Sequence, residues 1–234
     1  MIKIEIEPQP TDVTCGPTSL HAVYKYFGDS ITLKQVIEEV HYLETGGTLA
    51  VMLASHALKR GYSARIYTYN LGVFDPSWFT EKNVDLRLKL QQQLDAKNGH
   101  KLSAATTAYI NFLEQGGEIF FKDLTPTLFK SFFEKGIPIL TGLSSTYLYK
   151  CKREWSEGKY LVTYDDIKGY PAGHFVVLSG YDKSTKQVVV ADPYEGNPIS
   201  KSNFYSVDIS RLINSIMLGI VTYDANLLII EPKR

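Results

Sequence analysis

Cysteine is scarce in this chain: there are two in 234 residues, Cys15 and Cys151. Two cannot make the disulfide framework that staples small secreted domains. Both are read as free thiols in a reducing compartment, with a single Cys15–Cys151 bridge as the minor alternative. Charge of one sign is also lacking, since 25 Lys and Arg balance 25 Asp and Glu. A phosphate-backbone binder needs clustered surplus base, so nucleic acid is not an expected partner, although a balanced total leaves room for a local patch. No apolar run is long enough to cross a bilayer. The longest, residues 212–221, is interrupted by Asn214, Ser215 and Gly219. The first ten residues alternate charged and apolar side chains, without the apolar core or small-residue cleavage site of a signal peptide. The expectation is a soluble, cytoplasmic protein with no membrane partner. The five histidines and two cysteines are not spaced as a zinc site requires. Neither a dinucleotide-binding glycine fingerprint nor a phosphate-binding Gly-Lys-Ser/Thr loop is present. No metal and no cofactor is expected, and nothing in the sequence reads out oligomeric state.

What is present is a hydrophobic content of 44%, enough to offset the entropy of ordering a core. The length suits one domain over 1–234, with residues 70–117 as a helical insertion. Ile2, Ile4 and Ile6 alternate with charged residues and predict a strand. Leu20, Val23, Tyr24 and Phe27 recur at helical spacing and predict a helix over 16–27. Thr32 with Gln35 reads as a capping box opening a second helix to about Val40. A third helix runs from Thr48 to Arg60, and Tyr62–Tyr69 alternates like a strand. Residues 86–94, 103–114 and 127–135 read as helices, and 137–143 as a buried strand. The stretch 147–172 reads as a loop or lid. Its tyrosines, Tyr147, Tyr149, Tyr160, Tyr164 and Tyr170, suit either a substrate groove or rim packing. Its Asp165-Asp166 pair reads as a solvated turn. Residues 175–181 and 188–191 are two β-rich runs around a polar turn, and a last strand spans 227–230. Helices early and strands late make the class α+β.

The segment Gln9-Pro10-Thr11-Asp12-Val13-Thr14-Cys15-Gly16-Pro17 places a cysteine where loop becomes helix. Unpaired N–H groups at a helix start carry partial positive charge and favour a thiolate there. The plainer reading of Cys15 is a small buried hydrophobe. Gly16 would let another chain, such as a substrate, come close. A nucleophile needs a base. His21, His41, His56 and His100 sit in ordinary helical or polar surroundings. His174 stands at the start of a buried strand, and the next strand ends in Asp192-Pro193. A hairpin centred on residue 183 pairs position 174 with position 192, which sets an imidazole beside a carboxylate. That is a base with its orienting group. A turn-forming Asp before Pro193 is the alternative. The Cys15 backbone N–H and the Gln9 side-chain amide are candidate donors to an oxyanion.

Gln9 with Cys15-Gly16-Pro17, then Gly173-His174-Phe175, then Asp192-Pro193, resembles the C39 and C39-like peptidases of the papain-like superfamily. The resemblance implies a papain-like fold, in which an N-terminal helix carrying the cysteine packs on an antiparallel sheet carrying His and Asp. It implies Cys15 as nucleophile, His174 as base, Asp192 as orienter and Gln9 as oxyanion glutamine. It covers about the first 27 residues and about residues 124–193, leaving 70–117 and the tyrosine-rich stretch without a counterpart. The best-known members are fused to membrane transporters and cut leader peptides after Gly-Gly. With no transmembrane or nucleotide-binding segment here, the likeness is to stand-alone C39-like proteins. The implied activity is a cysteine peptidase or amidase acting on a peptide or amide through a thioester acyl-enzyme. Two alternatives stay open: an acyl- or peptidyl-transferase with the same triad, and a non-catalytic peptide-binding module.

Overall fold

Helix α1 (Cys15–Tyr26) carries apolar side chains at helical spacing, and every residue from Gly16 to Tyr24 is buried. It is a central helix, enclosed on all sides. The computed structural model describes residues 2–44, 46–97, 99–156 and 162–233. Helix α2 (Leu33–Glu39) opens on the capping box read from the sequence: Gln35 N donates to Thr32 Oγ1, and Thr32 N donates to Gln35 Oε1. Next come α3 (Ala50–Lys59), β1 (Tyr62–Thr68), α4 (Leu86–Ala96), α5 (His100–Glu114), β2 (Glu118–Phe120) and α6 (Pro126–Phe133). The second half holds β3 (Ile139–Ser144), α7 (Ser145–Tyr149), β4 (Glu154–Ser156), β5 (Val162–Tyr164), β6 (Gly173–Asp182) and β7 (Gln187–Ala191). It closes with β8 (Phe204–Asp208), α8 (Ile209–Leu218) and β9 (Asn226–Pro232).

Seven strands form one sheet in the order β2-β1-β9-β3-β6-β7-β8, antiparallel except for the β1–β2 pair. Alternate side chains along a strand point to opposite faces, and here each face has its own core. Leu140, Phe175, Val177, Leu228 and Ile230 pack with α1, α3 and α5. Ile139, Leu143, Val176, Leu178, Leu227 and Ile229 pack with α6, α7 and α8. The class is α+β, as the order of elements indicated. No helix among the described residues is long and apolar enough to cross a membrane. Nor do the described residues hold a cluster of three or more side chains suited to a metal.

Two expectations need correction. Residues 2–6 alternate but form no strand. β6 already pairs on both sides, with β3 and β7. Only the bulge between Leu178 and Gly180 offers a free group there, and Ile2 N donates to the Ser179 carbonyl at 2.8 Å. The stretch 147–172 is not all loop, since it contains the end of α7 and a small two-stranded sheet of β4 with β5. Residues 157–161 of it lie outside the described residues. The apolar run 212–221, weighed only for membrane length, belongs largely to amphipathic α8, which buries Ile209, Leu212 and Ile216. The short strands β2 and β8 carried no alternating signal strong enough to be read.

Candidate active site

Cys15 is the first residue of α1. The residue before it, Thr14, does not cap the helix with its side chain. Its hydroxyl instead closes the preceding turn, donating to the Thr11 carbonyl at 2.8 Å and accepting from Thr11 N at 3.0 Å. No side chain of Thr14 therefore competes for the N–H groups of the first turn, and Pro17 has none to leave unpaired. Gly16 does not serve an incoming chain, as the sequence suggested. A Cβ there would lie 2.3 Å from Thr48 Oγ1 and 3.3 Å from both Leu53 and the Phe175 ring, so the missing side chain lets α1 close on the Thr48 segment and α3 as well as on β6. Ser19, one turn on, donates its hydroxyl to the Phe175 carbonyl at 3.1 Å and pins the helix to the strand that begins with His174.

His174 and Asp192 are brought together. The imidazole Nε2–H donates to Asp192 Oδ1 at 2.8 Å, with the histidine 7% exposed and the carboxylate fully buried. They meet through a different register from the one read off the sequence. The ladder pairs Val177 with Ala191 and Leu178 with Val190. Continued, it sets 192 opposite 176, so 174 and 192 are diagonal neighbours. The displacement is two residues, and an even displacement keeps both side chains on one face.

Asp192 accepts three further hydrogen bonds. Tyr194 N donates to Oδ1 at 2.9 Å, and the hydroxyls of Tyr149 and Tyr205 each donate to Oδ2 at 2.7 Å. Burial alone would raise its pKa, but the His174 charge and these donors hold it below the usual carboxylate value. Burial likewise opposes the His174 charge. The Asp192 carboxylate and the adjoining Cys15 overcome it and raise the imidazole to about 10. With Nε2 committed to Asp192, Nδ1 is the ring nitrogen left for Cys15. Sequence reasoning missed Tyr205 entirely and saw Tyr149 only as part of a tyrosine-rich stretch. A hydroxyl that reaches a carboxylate 43 positions away leaves no local signal.

A cavity of about 400 Å³ opens beside this group, lined among others by Gln9, Tyr149, Cys151, Tyr164, His174 and Tyr194. Gln9 is held there by its backbone N–H, which donates to the Pro193 carbonyl at 2.8 Å. One of its amide protons goes to the Thr11 carbonyl at 3.0 Å, which leaves the other free. Its Oε1 is buried without a partner among the described residues. Asp12 and Glu154 also face the cavity. Partial burial and the nearby Asp12 raise the pKa of Glu154, against the opposing charge of His174. Of the tyrosines in the 147–172 stretch, Tyr149 and Tyr164 line this cavity. Tyr147 lines another, Tyr170 is 71% exposed, and Tyr160 lies outside the described residues.

The other histidines are accounted for elsewhere. His56 is buried between the Tyr24 hydroxyl at 2.7 Å and Glu39 at 3.1 Å. His21 and His100 lie 3.7 and 3.4 Å from Glu7 and Glu44, and His41 is exposed. Asp165 and Asp166 form a surface turn: Asp165 accepts from the backbone of Ile167 and Lys168, and Asp166 pairs with Lys152. Both cysteines are free thiols.

The Peptidase_C39 like family matches residues 1–208. The chain belongs to the Peptidase_C39 like family. No curated protein matches it. Among solved structures, a C39-like peptidase from Bacillus anthracis, so described, is 15% identical, with 100% of this chain and 96% of that one covered, at a TM-score of 0.49. A double glycine motif protease from an AMS/PCAT transporter, in complex with the leader peptide, is 14% identical over 99% and 94% of the two chains, at 0.46. The peptidase domain of Streptococcus ComA, a bifunctional ABC transporter, is 13% identical over 100% of both, at 0.43. Membership of this C39-like family makes a cysteine peptidase the coarse functional class.

Proposed function

We propose that this C39-like protein is a cysteine peptidase or amidase in which Cys15, His174, Asp192 and Gln9 carry the chemistry. The observation that carries the reading is the buried His174–Asp192 pair set against a cysteine at the first position of a helix. Cys15 Sγ attacks the carbonyl carbon of a peptide or amide bond. The electron pair moves to the carbonyl oxygen, which accepts hydrogen bonds from the Cys15 N–H and the free Gln9 amide proton. On collapse the C–N bond breaks, and the His174 Nδ1 proton goes to the departing amine. Water, deprotonated by His174, then attacks the thioester, and thiol and carboxylic acid are released. Asp192 keeps the imidazole oriented and stabilises its charged form.

The test is competitive labelling by iodoacetamide near pH 6, with the two cysteines resolved by peptide mass spectrometry. Cys15 is expected to react first by a wide margin, and the margin to collapse in His174→Ala. Cys15 reacting no faster than Cys151 would exclude the activated pair. A peptide library should then yield products that disappear in Cys15→Ala.

A further inference from the structure

Asp224 lies in the turn before β9 and belongs to none of the groups above. It is 6% exposed, and its Oδ1 has no partner among the described residues. A buried carboxylate without a full set of partners is costly, so its place in the fold calls for a reason. The surroundings are built to admit it. Gly173 immediately precedes His174, and a Cβ at Gly173 would lie 2.1 Å from Asp224 Oδ2. A Cβ at Gly142, on the neighbouring strand, would lie 2.8 Å from the Asp224 Cβ. Two strands thus omit side chains where this one residue comes in, directly behind the backbone that presents the histidine. Its own backbone is fixed by Asp224 N donating to the Gly219 carbonyl at 2.9 Å.

The same turn is tied to the helical segment 70–117. Lys101, in the first turn of α5, donates to the Thr222 carbonyl at 3.4 Å and sits 4.8 Å over the Tyr223 ring. The titratable groups around Asp224 are Lys101 and Tyr109 from α5 and His174 from β6, with the Thr222 hydroxyl from its own turn. Two of these are cations when protonated.

We propose that Asp224 is a second carboxylate of the active site, a positioning residue that stabilises the His174 imidazolium through space from behind Gly173. Asp192 bonds the ring directly. No hydrogen bond joins Asp224 to the ring among the described residues, and Asp224 acts through charge. The proposal rests on His174 being the base of the reaction. Its consequence is that ionising Asp224, which burial raises to about 7 against the opposing effects of Thr222, Lys101 and His174, holds the histidine charged to higher pH. Lys101 links the helical segment to that setting.

The experiment is an NMR titration of the His174 ring in ¹³C-histidine-labelled protein, assigned by the loss of its signal in His174→Gln. In the wild type the His174 shift should show an inflection near neutrality as Asp224 ionises, before its own deprotonation. Asp224→Asn should abolish that inflection and move His174 deprotonation down by about one pH unit. The surface variant Lys101→Met should keep the inflection and move it to higher pH. A His174 titration unchanged in folded Asp224→Asn overturns the proposal and leaves Asp224 a structural residue. Should that variant not fold, a wild type without the inflection, or one that Lys101→Met does not move, overturns it equally. These readouts need no turnover, so failure of the peptidase reading would show separately, as absent cleavage with the His174 linkage intact.

Discussion

Asp192 receives four hydrogen bonds in a fully buried position, from His174, Tyr194 N, Tyr149 and Tyr205. That set keeps the carboxylate ionised and fixed, so removing one donor should be felt in two ways. Tyr205→Phe leaves Oδ2 with the Tyr149 hydroxyl alone and should cost about 1–3 kcal/mol of stability by urea unfolding. It should also move the acid limb of the stability curve to higher pH, because hydrogen bonds to the charged form are part of what lowers this pKa. The sign at each end of the wild-type curve follows from the two shifts. Asp192 titrates below its usual 3.8, so its contribution is complete above 3.8 and is lost as pH falls through the lowered value. His174 titrates above its usual 6.5, so its contribution is complete below 6.5 and is lost as pH rises toward about 10. Asp224 acts oppositely. Its raised pKa means that the folded state holds a proton the unfolded chain releases, and stability falls as pH rises from 3.8 to about 7. Urea midpoints measured across that interval should slope downward in the wild type and lose that part of the slope in Asp224→Asn.

At the scale of elements, the β6–β7 hairpin decides where the two triad candidates meet. The two β-rich runs and the polar turn between them were legible, and a hairpin centred on residue 183 set His174 beside Asp192. The register was not. The bulge between Leu178 and Gly180 shifts the ladder, and the Ser179 carbonyl it frees accepts from Ile2 N, a contact between residues 177 positions apart. The face survived because the error was even-numbered. The elements around the cavity also set its charge. Asp12, before α1, and Glu154, on β4, both face it, with no ion pair to either among the described residues. Methanethiosulfonate reagents of equal size should therefore label Cys15 faster when cationic than when anionic. The preference should shrink in Glu154→Gln, and equal rates for both charges would show that the cavity exerts no such field.

For the whole molecule, the segment 70–117 matters most. It had no counterpart in the resemblance and read only as helices. In the structure Phe74, Leu90, Tyr109 and Phe112 are buried in the same core as α1 and α3. Shared burial of this kind predicts that the segment and helix α1 unfold as one cooperative unit. Phe112→Ala, which removes a fully buried ring, should cost about 3–5 kcal/mol and lower the midpoint of a single transition. Two separate transitions, with the change confined to one, would show that 70–117 folds by itself.

The sequence by itself determined the class and most helices, and it singled out Gln9, Cys15, His174 and Asp192 as candidates. Periodicity, caps and helix-start chemistry act between neighbours in the chain, and neighbours are visible in a sequence. Tertiary structure alone decided the register of the hairpin, the tyrosine hydroxyls on Asp192, the real role of Gly16 and the place of Asp224 behind Gly173. Each is a contact between residues far apart along the chain, set by how two cores pack against a shared sheet, and no local pattern encodes it.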